Sequence, residues 1–184
     1  IMYRLFFKRF LDFTLSLIAI ILLSPIYLIV AILVRVKLGS PVIFKQERPG
    51  KDEKIFKMYK FRSMTSETDG NGNLLPDEVR LTSFGKKLRA TSLDEIPELF
   101  NILKGDMSIV GPRPQLVKDM VFMSNEQRKR HSVRQGLTGL AQVSGRNNIS
   151  WEEKIGYDLR YISDISLLND LKIILKTIKK VVKK

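Results

Sequence analysis

The chain has 184 residues, 44% of them hydrophobic, which suits one domain with a core of its own. Its 32 Lys and Arg against 19 Asp and Glu give a net charge of +13, which calls for an anionic partner: nucleic acid, an acidic lipid surface or a phosphorylated substrate. The absence of cysteine excludes a disulfide framework, thiolate zinc sites and thiol nucleophiles.

Residues 13–34, FTLSLIAIILLSPIYLIVAILV, carry no charge. At 1.5 Å per residue a straight helix of this segment reaches roughly 33 Å, enough to cross a bilayer. The run is too long for a cleavable signal peptide and is expected to stay in the mature protein. The plain reading is one spanning helix kinked at Pro25, with Ser24 supplying a donor to a freed carbonyl. Two features favour another reading. Arg4, Lys8 and Arg9 precede the segment and Arg35 and Lys37 follow it, so both flanks carry the charge that marks the cytoplasmic side. Ser24-Pro25 also lies near the midpoint, where an entering helix would turn back. A re-entrant helix-break-helix over residues 1–38 satisfies both facts.

Residues 42–46 and 55–61 read as two short strands around a Pro49-Gly50 turn, a hairpin. The polar stretch TSETDGNGNLLPDE is a loop. Its Asp69, Asn71 and Asn73 imitate a calcium loop, but Leu74 and Arg80 stand where glycine and glutamate are needed. Residues 82–89 and 92–103 read as helices. The second begins at TSLDEIPEL, where Ser92 and Glu95 have the spacing of a capping box and Asp94 lies in the first turn. In DMSIVGPRPQL a short strand runs into a loop in which Pro112 and Pro114 fence Arg113, presenting its guanidinium to an anion.

Residues 125–131 form a polar helix end, and His131, the one histidine of the chain, reads as a surface residue. GLTGLAQVSGRNN, with Arg146, reads as a turn-rich stretch that matches no phosphate-loop fingerprint. Residues 151–163 read as a helix with Trp151 and Tyr157 in the core or at an interface. From Leu167 onward, Leu171, Ile174, Leu175, Ile178, Val181 and Val182 line one face with lysines through Lys184 around it, an amphipathic basic helix suited to the domain or to an anionic membrane surface. The expected class is α+β, mainly helical, with a small β-hairpin and amphipathic interfacial helices around a compact domain.

The membrane segment with Ser24-Pro25, FKQERPG, IFKMYKFRSM, SLDE, LFNILKGDMSIVGPRP and VRQGLTGLAQVSGRN resemble, in order and spacing, the small monotopic phosphoglycosyl transferases, a bacterial sugar transferase family. The resemblance covers essentially the whole chain. It implies a re-entrant helix (1–38) and a catalytic domain (39–184) on the cytoplasmic face of the plasma membrane. It also implies transfer of a sugar 1-phosphate from a UDP-sugar to polyprenyl phosphate, with release of UMP. By this resemblance Asp94 is the nucleophile that forms an aspartyl phosphosugar, and Glu95 binds Mg2+. Arg113 and Arg89 contact phosphate, and Lys60, Arg62 and Arg146 are further substrate-binding candidates. Anionic lipids are expected partners, nucleic acid is not, and a homodimer is left open. The chain departs from many relatives at Gln135, Leu140 and Ser144, where proline, tryptophan and asparagine are usual, so sugar specificity does not transfer. The rival class, a basic nucleic-acid-binding protein, fits the charge but is opposed by the uncharged segment; a membrane scaffold without catalysis predicts no UMP release and no dependence on Asp94.

Overall fold

A computed structural model describes residues 2–145 and 148–182. Arg146, Lys183 and Lys184 lie outside the described residues. A π-helical turn, Tyr3–Phe7, leads into α1, Lys8–Leu38. The helix runs through Pro25 as one element, so the expected break at Ser24-Pro25 is not present. Pro25 has no N–H to give to the Ile21 carbonyl, and the Ser24 hydroxyl donates to that carbonyl instead at 2.8 Å. The compensation expected of Ser24 is therefore made, and it preserves the helix where proline would otherwise leave an acceptor bare.

One stripe of α1, at helical spacing, faces the rest of the molecule: Asp12, Ser16, Val30, Val34 and Leu38 are buried, with Ala19, Ile20, Leu23 and Tyr27 half-buried between them. The other faces leave Ile21, Leu22, Leu28, Ile29 and Val36 exposed. Only 11% of the most apolar window is buried, unlike the core helix of a soluble protein, and by length and composition the helix can cross a membrane.

After α1, β1 (Ile43–Pro49) and β2 (Ile55–Phe61) form the expected antiparallel hairpin, with Lys60 opposite Phe44. Two short helices follow, α2 (Asp77–Arg80) and α3 (Ser83–Ala90), the latter capped by the Thr82 hydroxyl, which accepts from the Gly85 N–H. A 3-10 turn, Leu93–Glu95, precedes α4 (Glu98–Lys104), which ends at left-handed Gly105. β3 (Met107–Val110) leads into the GPRP loop. α5 (Asn125–Arg128) and a 3-10 turn carry the chain to β4 (Gln135–Thr138), which pairs parallel to β3. This second sheet replaces the turn-rich stretch expected there. Four residues are too few for a period of two to be read against flanking glycines.

Three helices close the fold: α6 (Leu140–Ser144), α7 (Trp151–Ser163) and α8 (Leu167–Val182). The observed class is mainly helical with two small sheets. Phe61 and Leu88 pack against the second half of α1; Met58, Leu99, Ile102 and Met107 pack against its first half. Each such apolar side chain contributes about 1.5–3 kcal/mol by leaving water. α8 buries Asp170 and Ile173 and leaves Leu168, Leu171, Leu175 and Ile178 exposed among its lysines. Tyr3, Lys8 and Tyr161 all bind the Asp170 carboxylate, at 2.6, 2.6 and 2.8 Å, tying the start of α1 to α7 and α8. His131 is not a surface residue: it is 1% exposed, beside Arg130 and 3.5 Å from Glu53, because the turn that carries it folds under the β1–β2 loop. Burial and the Arg130 charge lower its pKa, with Glu53 opposing them.

Candidate active site

Ser92 has φ 60° and ψ 16°, and its N–H donates to the Arg89 carbonyl at 3.1 Å. Left-handed backbone here closes α3 and cannot present the serine hydroxyl as an N-cap, which needs extended backbone. Pro97, lacking an N–H, cannot extend an α-helix backward, so Asp94 and Glu95 sit on a tight 3-10 turn ahead of α4. The capping box expected at Ser92 and Glu95 is therefore not formed. The same serine grammar is realised instead at Ser124 with Gln127 and at Ser150 with Glu153.

Glu95 points into a set of cations. Its Oε1 accepts from Lys60 Nζ at 2.9 Å and from Arg113 Nη2 at 2.7 Å. Burial works against its charge, but Arg113 and Lys60 prevail and hold its pKa at about 2. Asp94 is 8% exposed, and its pKa is raised, by burial first and by the Glu95 charge second, with Lys60 and Arg89 opposing. Two adjacent carboxylates are thus driven apart in basicity. Glu95 is a fixed anion, and Asp94 is the more basic group.

Glu98, one helical turn on, was not anticipated from the sequence. It is 3% exposed, lies 3.2 Å from the same Lys60 Nζ, and is pushed up to about 7, mainly by burial. Strand periodicity puts Met58 and Lys60 on one face of β2, and both line a cavity of about 260 Å³ with Glu98, Arg113 and Arg48. Arg48 also escaped the sequence reading. It donates to Gln46 at 2.6 Å, while its Nε is buried without a hydrogen-bond partner among the described residues.

The remaining candidates separate. Arg89, on α3, donates from Nε to Ser63 Oγ at 2.8 Å and lies close enough to Asp94 to affect its charge. The α3 backbone reaches Ser63 because Gly85 has no Cβ, which would sit 1.9 Å from the Ser63 carbonyl. Arg62 does not join the cluster: it is buried, and its guanidinium binds the Met64 and Ser40 carbonyls and the Ser66 hydroxyl. These three bonds anchor its guanidinium to the loop after β2 and to Ser40, and Arg62 does not line the cavity beside Glu98. Arg146 lies outside the described residues. Gln135 is buried in β4 and Leu140 and Ser144 lie on α6; none of the three lines the cavity.

Arg113 is held from behind. Arg130, 0% exposed, donates to the Arg113 carbonyl at 2.7 Å, and its own charge is met by Asp158 of α7 at 2.7 Å. The loop is also stitched to β4, Gly111 N–H to Thr138 and Gly136 N–H to Pro112, at 2.9 and 2.8 Å. A Cβ on Gly136 would fall 2.1 Å from the Gly111 nitrogen, so this approach requires glycine. No sequence motif singles out Arg130 or Asp158; their burial and pairing identify them.

Among the described residues no three acidic, imidazole or thiol groups converge as a closed metal cage. Asp94 and Glu95 do offer two hard carboxylates, a donor set that suits Mg2+ when phosphate oxygens and water complete its shell.

Comparison with known proteins shows the family. The family described as Bacterial sugar transferase matches residues 3–184. EpsL of Bacillus subtilis (strain 168), an uncharacterized sugar transferase, is 50% identical over 174 residues, 95% of this chain and 86% of the relative. The UDP-glucose:undecaprenyl-phosphate glucose-1-phosphate transferase of Klebsiella pneumoniae is 43% identical over 187 residues, 94% of this chain and 39% of the relative. The undecaprenyl-phosphate galactose phosphotransferase of Salmonella typhimurium is 35% identical over 196 residues, 97% of this chain and 41% of the relative. The chain thus spans most of EpsL and about two-fifths of the other two. With an apolar helix docked on a domain that gathers paired carboxylates and arginines, and a family match from end to end, the chain belongs to the bacterial sugar transferase family.

Proposed function

We propose that the protein transfers a sugar 1-phosphate from a UDP-sugar to undecaprenyl phosphate and releases UMP, on the cytoplasmic face of the membrane. The observation that carries this reading is the unequal carboxylate pair: Glu95 is tied to Lys60 and Arg113, while Asp94 is buried, more basic and not held by those two cations. A carboxylate that must attack phosphorus needs its electron pair free, and a developing phosphoryl charge needs fixed cations nearby. Relatives named for undecaprenyl-phosphate sugar phosphate transfer support the same reaction class.

In this mechanism an Asp94 oxygen attacks the β-phosphorus of the UDP-sugar. The bond from that phosphorus to the bridging oxygen breaks, and UMP leaves with the electron pair. An oxygen of undecaprenyl phosphate then attacks the same phosphorus and displaces Asp94, which returns as a carboxylate. Lys60, Arg113 and Arg89 bind and orient the phosphates, and Arg48 and Glu98 line the space beside them. Glu95 would hold Mg2+, which would supply charge neutralisation to the diphosphate when bound.

Both ends of α1 dock on one body, the first half through Asp12 and Ile20 and the second through Val34 and Leu38. A helix so held keeps its two ends on one side of the bilayer, which supports a monotopic arrangement. The exposed leucines and lysines of α8 fit an anionic membrane surface.

The test is UMP release from a panel of UDP-sugars with undecaprenyl phosphate, with intact-mass measurement of protein given the donor alone. Wild type should gain the mass of one sugar phosphate. Asp94→Asn should show neither adduct nor turnover while remaining membrane-bound; full activity in that variant overturns the mechanism.

A further inference from the structure

The hairpin that carries Lys60 turns at residues 51–54, where the Lys54 N–H donates to the Lys51 carbonyl at 3.2 Å. Its two central residues, Asp52 and Glu53, have φ 55° and 60°. Positive φ at both central positions is the geometry of a type I′ turn, which favours asparagine or aspartate first and glycine second. Glu53 stands in the glycine place, where a side chain is strained and its surroundings have to hold it. Two groups do so. Glu53 Oε2 accepts from Arg128 Nη1 at 3.1 Å, and its Oε1 lies 3.5 Å from Nδ1 of His131. That nitrogen is buried and has no closer polar partner among the described residues. On the other side of the ring, Nε2 lies 3.5 Å from Nη1 of Arg130. A guanidinium only donates, so Nε2 is the unprotonated nitrogen and the ring proton sits on Nδ1, toward Glu53. The remaining nitrogens of Arg130 are committed: Nε and Nη2 donate to Asp158 at 3.0 and 2.7 Å, and Nη2 also to the Arg113 carbonyl at 2.7 Å. His131 thus completes the donor set of a fully buried cation that holds the GPRP loop.

We propose that Glu53 and His131 are positioning residues for Arg113: the strained hairpin tip aims Glu53, Glu53 fixes the tautomer of His131, and the ring seats Arg130 against the Arg113 carbonyl. Neither Glu53 nor His131 lines the cavity beside Glu98, so both act on a bound donor only through the GPRP loop. At 3.5 Å the two ring contacts are long, and the effect comes from the direction of the ring dipole between an anion and a cation rather than from a short bond. A ring that merely filled space would be replaceable by an apolar side chain of similar size. A ring that orients Arg130 needs an acceptor on one side and a donor on the other. That Arg113 binds phosphate rests on the transfer reaction proposed above; the tautomer and the seating of Arg130 do not.

Two measurements on full-length protein in detergent test this. The chain has one histidine, so isotope-labelled histidine gives a single imidazole by nitrogen NMR, expected neutral with its proton on Nδ1. A ring protonated on Nε2 instead overturns the proposal. The second measurement is the affinity for UMP by calorimetric titration, with KM and kcat for the UDP-sugar. His131→Leu should weaken UMP binding and raise KM about three- to tenfold, with kcat changed less. His131→Gln, whose amide keeps a donor for Glu53 and an acceptor for Arg130, should restore most of that loss. Glu53→Gly suits the backbone of the turn and removes only the carboxylate; it should match His131→Leu, and the two together should be no worse than either alone. Equal weakening in His131→Leu and His131→Gln, additive losses in the double variant, or unchanged affinity in Glu53→Gly overturns the proposal. If His131→Leu does not fold, Glu53→Gly and the tautomer decide it. Asp94→Asn should lose transfer yet keep the tautomer and at least the wild-type affinity for UMP, so a failure of the transfer mechanism is distinguishable from a failure of this one.

Discussion

Lys60 faces two carboxylates at once, Glu95 at 2.9 Å and Glu98 at 3.2 Å, and one ammonium cannot neutralise both. Arg113 decides the contest for Glu95, leaving Glu98 to hold a proton. The linkage has opposite signs at the two positions. Glu98 keeps in the folded state a proton that the unfolded chain releases between its ordinary 4.5 and about 7, so its contribution falls as pH rises through that window. Glu95, held at about 2, contributes above 4.5 and loses that contribution as pH falls toward 2. Glu98→Gln should therefore flatten stability between pH 4.5 and 7 and gain on the order of 2 kcal/mol at the upper end, read by denaturant unfolding in detergent. A wild-type slope retained in that variant would show that Glu98 is not the titrating group. Arg130 is a positioning residue, because it reaches the site only through the Arg113 carbonyl. Asp158→Asn leaves Arg130 buried without its counter-ion and should cost about 3–5 kcal/mol of stability. Arg130→Lys, which keeps the charge, should raise KM for the UDP-sugar several-fold with kcat changed less. Equal falls in both parameters would contradict a positioning role.

At the level of elements, α1 shows how a proline is carried within an apolar helix. The Ile21 carbonyl is served by the Ser24 hydroxyl because Pro25 cannot serve it. Ser24→Ala should destabilise the protein by about 1 kcal/mol, and Pro25→Ala should restore the amide that makes Ser24 dispensable. In the Pro25→Ala background the cost of Ser24→Ala should vanish, a coupling that a thermodynamic cycle measures directly. Additive effects would mean that the serine acts elsewhere. The hairpin, α7 and α8 were legible because each has a clean period or clear boundaries: residues 55–61 and 151–163 coincide with β2 and α7. β4 was not legible, since four residues flanked by glycine give no period. Ser92 misled because its spacing to Glu95 is that of a cap while its backbone already ends α3.

At the scale of the molecule, a stripe running from Asp12 to Leu38 fastens the membrane helix to the domain over nearly its whole length. Because the chain has no cysteine, single cysteines report topology without background. Cysteine placed at Met2 and at Ser66 should both react with an impermeant reagent only after the cytoplasmic side is opened. Reaction of the Met2 site from outside would place the two ends of α1 on opposite sides and remove the monotopic arrangement.

The sequence by itself determined the apolar segment, the hairpin, the basic amphipathic tail and the neighbourhood of Asp94, Glu95 and Arg113, because hydrophobic period, turn residues and motif order are local properties. Tertiary structure alone decided which carboxylate is pinned and which is left basic, since Lys60 and Arg113 come from β2 and the GPRP loop, far from Glu95 in the chain. It also decided that Arg62 is buried and bonded to its own loop, that Glu98, Arg48, Arg130 and Asp158 lie around the candidate site, and that α1 is continuous. Charge pairing and burial depend on neighbours distant in sequence, and a pattern within one segment does not record them.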